Sequence, residues 1–187
     1  MRLTSPRIAP LTDAEMTEEQ LSILSLLIAN NQLINIFRTL VQTPAALKAF
    51  LVWGSYILLG DNSRTTRQRE IVILRVGYLC KSGYEFAQHA LIGMKAGLSE
   101  NEIAGIKQGT EAGWAPEEAA LIRMADELVA DHFVSDATWA QMQAHFDQKA
   151  CMDAVYTAGH YTQVSMFLNT FGVQLDPGLV LDPDLSA

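Results

Sequence analysis

The sequence is poor in cysteine and in positive charge, and both shortages exclude classes of protein. Its two cysteines, Cys80 and Cys151, fit neither the disulfide framework of a small secreted domain nor the paired CxxC motifs of a structural zinc site. Thirteen lysines and arginines against 21 acidic residues give a net charge of −8. Because nucleic acids and anionic membranes attract clustered cations, we expect neither as a partner. A reducing cytoplasm is the compartment that we expect.

Long apolar runs are also missing. The longest, AFLVWGSYILLG at residues 49–60, is shorter than the roughly 20 residues that a membrane-spanning helix needs. The first residues, MRLTSPRIAPLTDAEM, lack the apolar stretch of a signal peptide. A chain of 187 residues with 49% hydrophobic content can bury one core, and it is short for two. We therefore predict a single domain over residues 1–187.

Helix signals recur along the chain, whereas strand signals hardly appear. Thr17 and Gln20 have capping-box spacing ahead of leucines at helical intervals. Pro44 is typical of a first helical position, and Gly60 is typical of a helix end. The stretch NNQLINIFRTLVQTP, residues 30–44, reads as an irregular segment with a short helical turn. These patterns predict an all-α fold.

The third predicted helix, TTRQREIVILRVGYLCK, is apolar on nearly every side from Ile71 to Val76. It should therefore lie at the centre of the molecule or in a subunit interface. Its β-branched run is also compatible with a strand, but its length and polar start favour a helix. Gly83 should separate it from a fourth helix that stops at Gly97.

The C-terminal part of the chain predicts further helices and a tail. Ser99 and Glu102 repeat the capping-box spacing, and a long last helix should run from about Gln148 to Phe171. The tail at residues 176–187 is acidic and broken by prolines, so it should be a surface strap or a disordered end.

Candidate acid/base residues fall in the third and fourth predicted helices. In the stretch CKSGYEFAQH, Glu85 and His89 are one helical turn apart, and Ser82 stands at the helix start. Glu70 lies on the apolar third helix, where burial would raise its pKa toward the range useful for proton transfer. If the two helices form an antiparallel hairpin around residues 81–83, Glu70, Glu85 and His89 converge in one pocket.

The segment REIVILRVGYLCKSGYEFAQHALIGMKAGLSENEI resembles the carboxymuconolactone decarboxylase and alkyl-hydroperoxidase-D-like superfamily over about residues 67–103. The hydroperoxidase branch carries a glutamate, eleven intervening residues, CxxC and then a histidine four residues further on. In this chain those positions are occupied by Glu70, Ser82, Glu85 and His89. Both thiols are therefore missing, and the nearby cysteine is two residues out of register.

The decarboxylase branch instead carries E-[FW]-x-x-H, which this chain matches with Glu85, Phe86 and His89. The resemblance implies an all-helical fold with its active site on the helical hairpin. It also implies a small-molecule substrate and a homo-oligomer, either a dimer, a trimer or a hexamer. Its chemistry would be decarboxylation, or a related proton transfer, on a small lactone or carboxylic acid.

Such a reaction needs no cofactor, because a conjugated lactone or ketone accepts the electrons left when carbon dioxide departs. In this interpretation His89 is the general acid/base and Glu85 holds or charges the imidazole. Glu70 supplies a second proton relay or orients the substrate, and Ser82 donates a hydrogen bond. The structural alternatives are a solvated Glu85–His89 helix pair and an ion pair between Glu70 and an arginine.

Four further residues are candidates for substrate binding. Arg38 and Arg75 could hold a substrate carboxylate as a bidentate fork, although a structural ion pair is the favoured interpretation for both. His160 and Tyr161 interrupt an apolar helix and could line the pocket from its opposite wall. For His160, a hydrogen-bonded core histidine is the favoured alternative.

Three interpretations are alternatives to acid/base catalysis: a dithiol peroxidase, a metal site and a non-catalytic scaffold. Dithiol peroxidase chemistry needs a second thiol to resolve the sulfenic acid, and Cys80 has none at useful spacing. The Glu-x-x-x-His spacing differs from the Glu-x-x-His of helical di-iron bundles, so we predict no metal. A non-catalytic oligomeric scaffold stays open, because the third and last helices are apolar on more than one face.

Overall fold

The computed structural model describes residues 1–60 and 62–186, and that part of the chain contains nine α-helices and no strand. The predicted all-α class is confirmed. The helices are α1 (Glu18–Ala29), α2 (Asn35–Leu40), α3 (Pro44–Leu59), α4 (Thr66–Leu79), α5 (Gly83–Lys95), α6 (Glu100–Gln108), α7 (Pro116–Asp131), α8 (Asp136–His145) and α9 (Gln148–Phe171).

Local signals set most helix starts. The Thr17 hydroxyl accepts a hydrogen bond from the backbone N–H of Gln20, whose side chain accepts one from the Thr17 N–H in return. The same reciprocal cap forms between Ser99 and Glu102 at the start of α6. Pro44 opens α3, where its missing N–H costs nothing. Only α2 goes beyond the expectation, since the short turn is a helix of six residues.

Helix α4 lies at the centre of the molecule. Every residue from Glu70 to Gly77 is buried, and the helix packs against α5, α7 and α9. Val72 and Ile73 belong to the larger of two hydrophobic clusters and Leu74 to the smaller, so α4 joins both. Of its two expected locations, the centre is correct. The apolar surface of α4 from Glu70 to Gly77 is thus covered by other helices of the same chain.

A tight turn folds α5 back along α4. Lys81 adopts a left-handed conformation with φ of 54°, which a residue with a Cβ rarely adopts outside turns. The Ser82 N–H then donates to the carbonyl of Gly77 at 2.8 Å and closes the end of α4. This turn brings residues of α4 and α5 that are far apart in sequence side by side.

The C-terminal segment crosses the surface of this hairpin. The Asp176 carboxylate accepts hydrogen bonds from the Tyr84 hydroxyl and from the Gln88 amide. Lys107 of α6 forms ion pairs with Asp182 and Asp184 further along, and Leu185 is buried in the smaller cluster. Residues 176–186 therefore form a strap across α5 and α6, while residue 187 of the expected tail lies outside the described residues.

Across residues 1–60 and 62–186, no helix combines the length and the apolar character that crossing a bilayer requires.

Candidate active site

A short contact between a carboxylate and an imidazole joins α4 to α5. Oε2 of Glu70 lies 2.6 Å from Nδ1 of His89. Glu70 is completely buried, and the His89 side chain keeps 11% of its surface exposed. A carboxylate at this distance fixes the orientation of the ring and leaves Nε2 as the nitrogen that can exchange a proton with another molecule.

The partner of the imidazole differs from the expectation. We expected Glu85 to hold His89 because the two lie one turn apart on α5, and this role assignment is wrong. The Glu85 carboxyl turns away, so that its Oε2 accepts a hydrogen bond from the Ser165 hydroxyl of α9 at 3.1 Å. Its Oε1 lies against Gly77, where an added Cβ would come within 3.0 Å. A glycine at position 77 thus makes room for the carboxyl group.

The burial of Glu85 changes its charge state. Removal from water raises the pKa of the Glu85 carboxyl well above its usual range, and the Ser165 hydrogen bond opposes this only in part. Burial therefore favours the neutral carboxylic acid over the carboxylate. The two glutamates occupy different environments, since Glu70 faces the imidazole and also lies 3.7 Å from the Arg69 guanidinium.

Glu85→Gln is expected to remove a pH dependence of stability. In the unfolded chain Glu85 titrates near 4.5, so above that pH unfolding releases its proton and the folded state becomes progressively less stable. The loss is about 1.4 kcal/mol per pH unit until the pH reaches the folded-state pKa. Urea unfolding from pH 5 to pH 8 should show this slope in the difference between the wild type and Glu85→Gln, because the opposite contribution of buried His160, whose pKa is lowered, is present in both proteins and cancels.

The exposed Glu111 provides the matched control for that experiment. Glu111→Gln should keep the wild-type slope. If Glu85→Gln and the wild type lose stability in parallel with rising pH, then Glu85 is not buried as a neutral acid.

Helix α9 supplies the facing wall. The Tyr161 ring meets the His89 ring edge to face, with centroids 4.8 Å apart, and the His160 ring lies 5.3 Å from that of Tyr161. Burial raises the pKa of Tyr161 well above its usual range, and the nearby charge of Glu70 raises it further. Tyr161 thus contacts His89, and its hydroxyl group stays protonated.

His160 lies on the far side of Tyr161 and contacts Phe50. Burial lowers the pKa of His160 to about 4, helped by the neighbouring His89, so the ring is neutral at pH 7. Its Nδ1 is buried without a hydrogen-bond partner among the described residues. The hydrogen-bonded core histidine that we favoured is therefore not observed.

Ser82 and the glutamates leave further polar atoms unpaired. Ser82 is completely buried at the start of α5, and its hydroxyl has no partner within the described chain. Oε1 of Glu85 and Oε1 of Glu70 also lack a hydrogen-bond partner among the described residues, although Oε1 of Glu70 lies 3.7 Å from Nε of Arg69. Most buried polar groups in proteins are hydrogen-bonded, so a concentration of unpaired ones on this hairpin is unusual and typical of functional sites.

The two candidate arginines are engaged elsewhere. Arg38 binds the Asp13 carboxylate at 2.6 Å and a backbone carbonyl of the N-terminal segment. Arg75 binds Asp126 of α7 at 2.5 Å and two carbonyls at the end of α6. Because structural partners occupy both guanidinium groups, the structure does not bring either one to the Glu70–His89 pair. The favoured alternative, an ion pair, describes both.

Sequence reasoning missed Ser165. Tyr161, Ser165 and Asn169 follow one another at intervals of four on α9, so they share one face of the helix. Ser165 contacts Glu85, and the Asn169 amide donates to the carbonyl of Cys80 at 2.9 Å. Three polar residues at this spacing on an apolar helix were the available signal.

A cavity of about 820 Å³ opens beside this face of α9. Among the described residues, its lining includes Cys80 and Ser165 but neither Glu70 nor His89. The cavity is therefore linked to the acid/base residues through Ser165, whose hydroxyl binds the Glu85 carboxyl. Within residues 1–60 and 62–186, no group of three or more His, Cys, Asp or Glu side chains is arranged to hold a metal ion.

Comparison with known proteins identifies the fold. No protein-family model matches the chain, and no curated protein matches it. Among solved structures, an uncharacterized peroxidase-related protein with an alkylhydroperoxidase AhpD core, from Ralstonia eutropha, has a TM-score of 0.78 and 19% identity, covering 91% of this chain and 93% of that one. A peroxidase-related protein from Silicibacter sp. TM1040 has a TM-score of 0.76 and 14% identity, covering 94% of this chain and 92% of that one.

The debrominase Bmp8, solved with 2,3,4-tribromopyrrole, has a TM-score of 0.77 and 10% identity, covering 93% of this chain and 94% of that one. At these identities the likeness concerns the fold alone. The chain has the alkyl-hydroperoxidase-D-like helical fold, and the resemblance stated from its sequence is confirmed at that level.

Proposed function

We propose that the protein is an enzyme that transfers protons on a small lactone or carboxylic acid, without a cofactor, and that decarboxylation of a carboxymuconolactone-like acid is its reaction. The observation that carries the proposal is the 2.6 Å contact between Glu70 Oε2 and His89 Nδ1. A buried carboxylate that orients an imidazole is the arrangement that acid/base chemistry requires, because it sets the tautomer and stabilises the imidazolium.

In the proposed reaction, loss of carbon dioxide comes first and proton transfer from His89, held by Glu70, comes second. The bond between a ring carbon and the substrate carboxylate breaks, carbon dioxide leaves, and the electron pair passes into the conjugated carbonyl group. The protonated His89 then gives its Nε2 proton to the resulting carbanion, with Glu70 holding the opposite nitrogen. Glu85 can donate a hydrogen bond as a neutral acid, in the way that a carboxylate could not.

The thiol chemistry of the superfamily is less well supported. Burial raises the pKa of the Cys80 thiol. Because the thiolate is the nucleophile, a raised pKa makes attack on a peroxide slow. The positions that would carry the two thiols of a hydroperoxidase are occupied by Ser82 and Glu85. Peroxidase activity is therefore less well supported than acid/base catalysis.

A non-catalytic oligomeric scaffold is the second candidate function. Large apolar side chains stay exposed on α3 and α9, among them Val52, Trp53 and Met166. Such surfaces are typical of contacts between subunits, so we also propose that the protein is a homo-oligomer. An enzyme and a scaffold differ in their need for His89, since a scaffold would keep its role without the imidazole.

The test uses the purified full chain with two substrates, γ-carboxymuconolactone and, separately, hydrogen peroxide. We expect depletion of the lactone with release of carbon dioxide, and no consumption of peroxide. Cys80→Ser should turn over the lactone within about twofold of the wild-type rate, because a protonated thiol takes no part in the proton transfer. Peroxide consumption that disappears in Cys80→Ser would overturn the proposal, and inactivity toward the lactone would refute the substrate assignment.

A further inference from the structure

Three cations converge on the cavity beside α9, although the chain as a whole carries a net charge of −8. Arg2, Arg7 and Lys81 all line it. Within residues 1–60 and 62–186, no carboxylate forms an ion pair with any of the three. Among the described residues, the hydrogen bonds of the two arginines are long, each 3.4 Å, and go to backbone carbonyls. Within that part of the chain, no carboxylate therefore neutralises their charge.

The acidic groups near the cavity do not offset these cations. Of the described lining residues, Asp184 alone carries a carboxylate, and Lys107 holds it at 2.6 Å. Burial raises the pKa of the Glu85 carboxyl behind Ser165 and that of the Cys80 thiol, so it favours the uncharged form of both groups. The cavity consequently presents a positive potential to a ligand.

The remaining lining suits a small organic molecule. Ser165 and Asn169 of α9 offer hydrogen bonds on one side, and Leu3, Met166 and Leu185 offer apolar surface. A volume of about 820 Å³ falls within the range of roughly 300–1,000 Å³ that small-molecule sites occupy. A mixture of apolar walls with a few convergent polar groups is the usual composition of such sites.

We propose that this cavity binds a small organic anion, whose carboxylate or sulfonate lies among Arg2, Arg7 and Lys81 while its apolar body lies against Leu3 and Met166. The cavity walls include neither Glu70 nor His89 among the described residues, so binding does not depend on the acid/base proposal. Arginine suits this role, since its planar guanidinium matches the two oxygens of a carboxylate or sulfonate.

A matched pair of fluorescent probes tests the proposal. 8-Anilinonaphthalene-1-sulfonate carries one sulfonate, and N-phenyl-1-naphthylamine has the same ring skeleton without it. Fluorescence titration of the folded wild type should show saturable binding of the sulfonate, with the neutral probe at least about tenfold weaker. Equal affinities for the two probes would overturn the proposal, because the cavity would then be selecting only apolar surface.

Variants locate the anionic group. The double variant Arg2→Gln/Arg7→Gln should weaken sulfonate binding about tenfold and change binding of the neutral probe by less than about twofold. Arg123→Gln removes one exposed charge from α7 and should leave both affinities unchanged. Circular dichroism melting confirms that each variant is folded. Should the double variant not fold, Lys81→Asn removes a cation at a turn position that asparagine tolerates. Sulfonate binding that is unchanged in these variants would refute the assignment.

Discussion

His89→Ala is expected to lower turnover of γ-carboxymuconolactone by about 10²–10⁴-fold, the range typical of losing a general acid/base group. The imidazole is the group that Glu70 orients at 2.6 Å, and its remaining exposure gives a substrate access to the ring. The loss should appear in kcat rather than in KM, because the proton transfer occurs in the chemical step. Steady-state kinetics on the wild type and the variant provide the measurement.

His145→Ala serves as the matched control, since that histidine is exposed at the end of α8 and should be dispensable. Glu70→Gln should also slow turnover, because an amide stabilises the imidazolium less than a carboxylate does. If His89→Ala keeps the wild-type kcat, the acid/base centre lies elsewhere. If neither the wild type nor His89→Ala turns over the lactone and both form the same oligomer, a non-catalytic scaffold becomes the better interpretation.

Arg75→Met is expected to lower the free energy of unfolding by about 2–4 kcal/mol, because it leaves Asp126 and two buried carbonyls without their donor. The guanidinium of Arg75 is largely buried, and its contacts join α4 to α6 and α7. Methionine keeps the apolar length of the side chain, so the loss comes mainly from the polar contacts. Urea unfolding monitored by circular dichroism measures it.

The same variant separates a structural role from substrate binding. KM for the lactone should stay within about twofold of the wild-type value, since a group that does not touch substrate contributes little to its binding. Arg123→Met on the exposed face of α7 should change neither quantity. If Arg75→Met keeps the wild-type stability but has a strongly raised KM, Arg75 binds substrate and its structural role is refuted.

Local sequence determined the helices better than it determined the site. The caps at Thr17 and Ser99 depend on residues three positions away, and the last helix was predicted from Gln148 to Phe171 because its periodic pattern runs between those limits. Which glutamate contacts His89 depends instead on long-range packing, because Gly77 and Ser165 accommodate the Glu85 carboxyl and Glu70 contacts the imidazole. Those positions follow from the packing of α4, α5 and α9, which no short stretch encodes.

The arginines show the same limit. Arg75 meets Asp126, which is 51 residues further along the chain, and many other carboxylates were equally plausible partners from sequence alone. Glu70 was identified because a carboxylate on an apolar helix is conspicuous. The signal for Ser165 is weaker, because its four-residue spacing from Tyr161 and Asn169 marks a polar face of α9 but does not show that a buried acid lies opposite.

The hydrogen bond between Ser165 and Glu85 also has a consequence for biosynthesis. The two residues are separated by 80 positions in the chain, whereas Glu70 and His89 are separated by only 19. Because a ribosome makes the chain from its N-terminus, the imidazole and its carboxylate can meet while α9 is still untranslated. Until α9 is made, Glu85 lacks the Ser165 hydroxyl that binds it. Because burial raises the pKa of this carboxyl, the folding step that packs α9 against α5 favours proton uptake by Glu85.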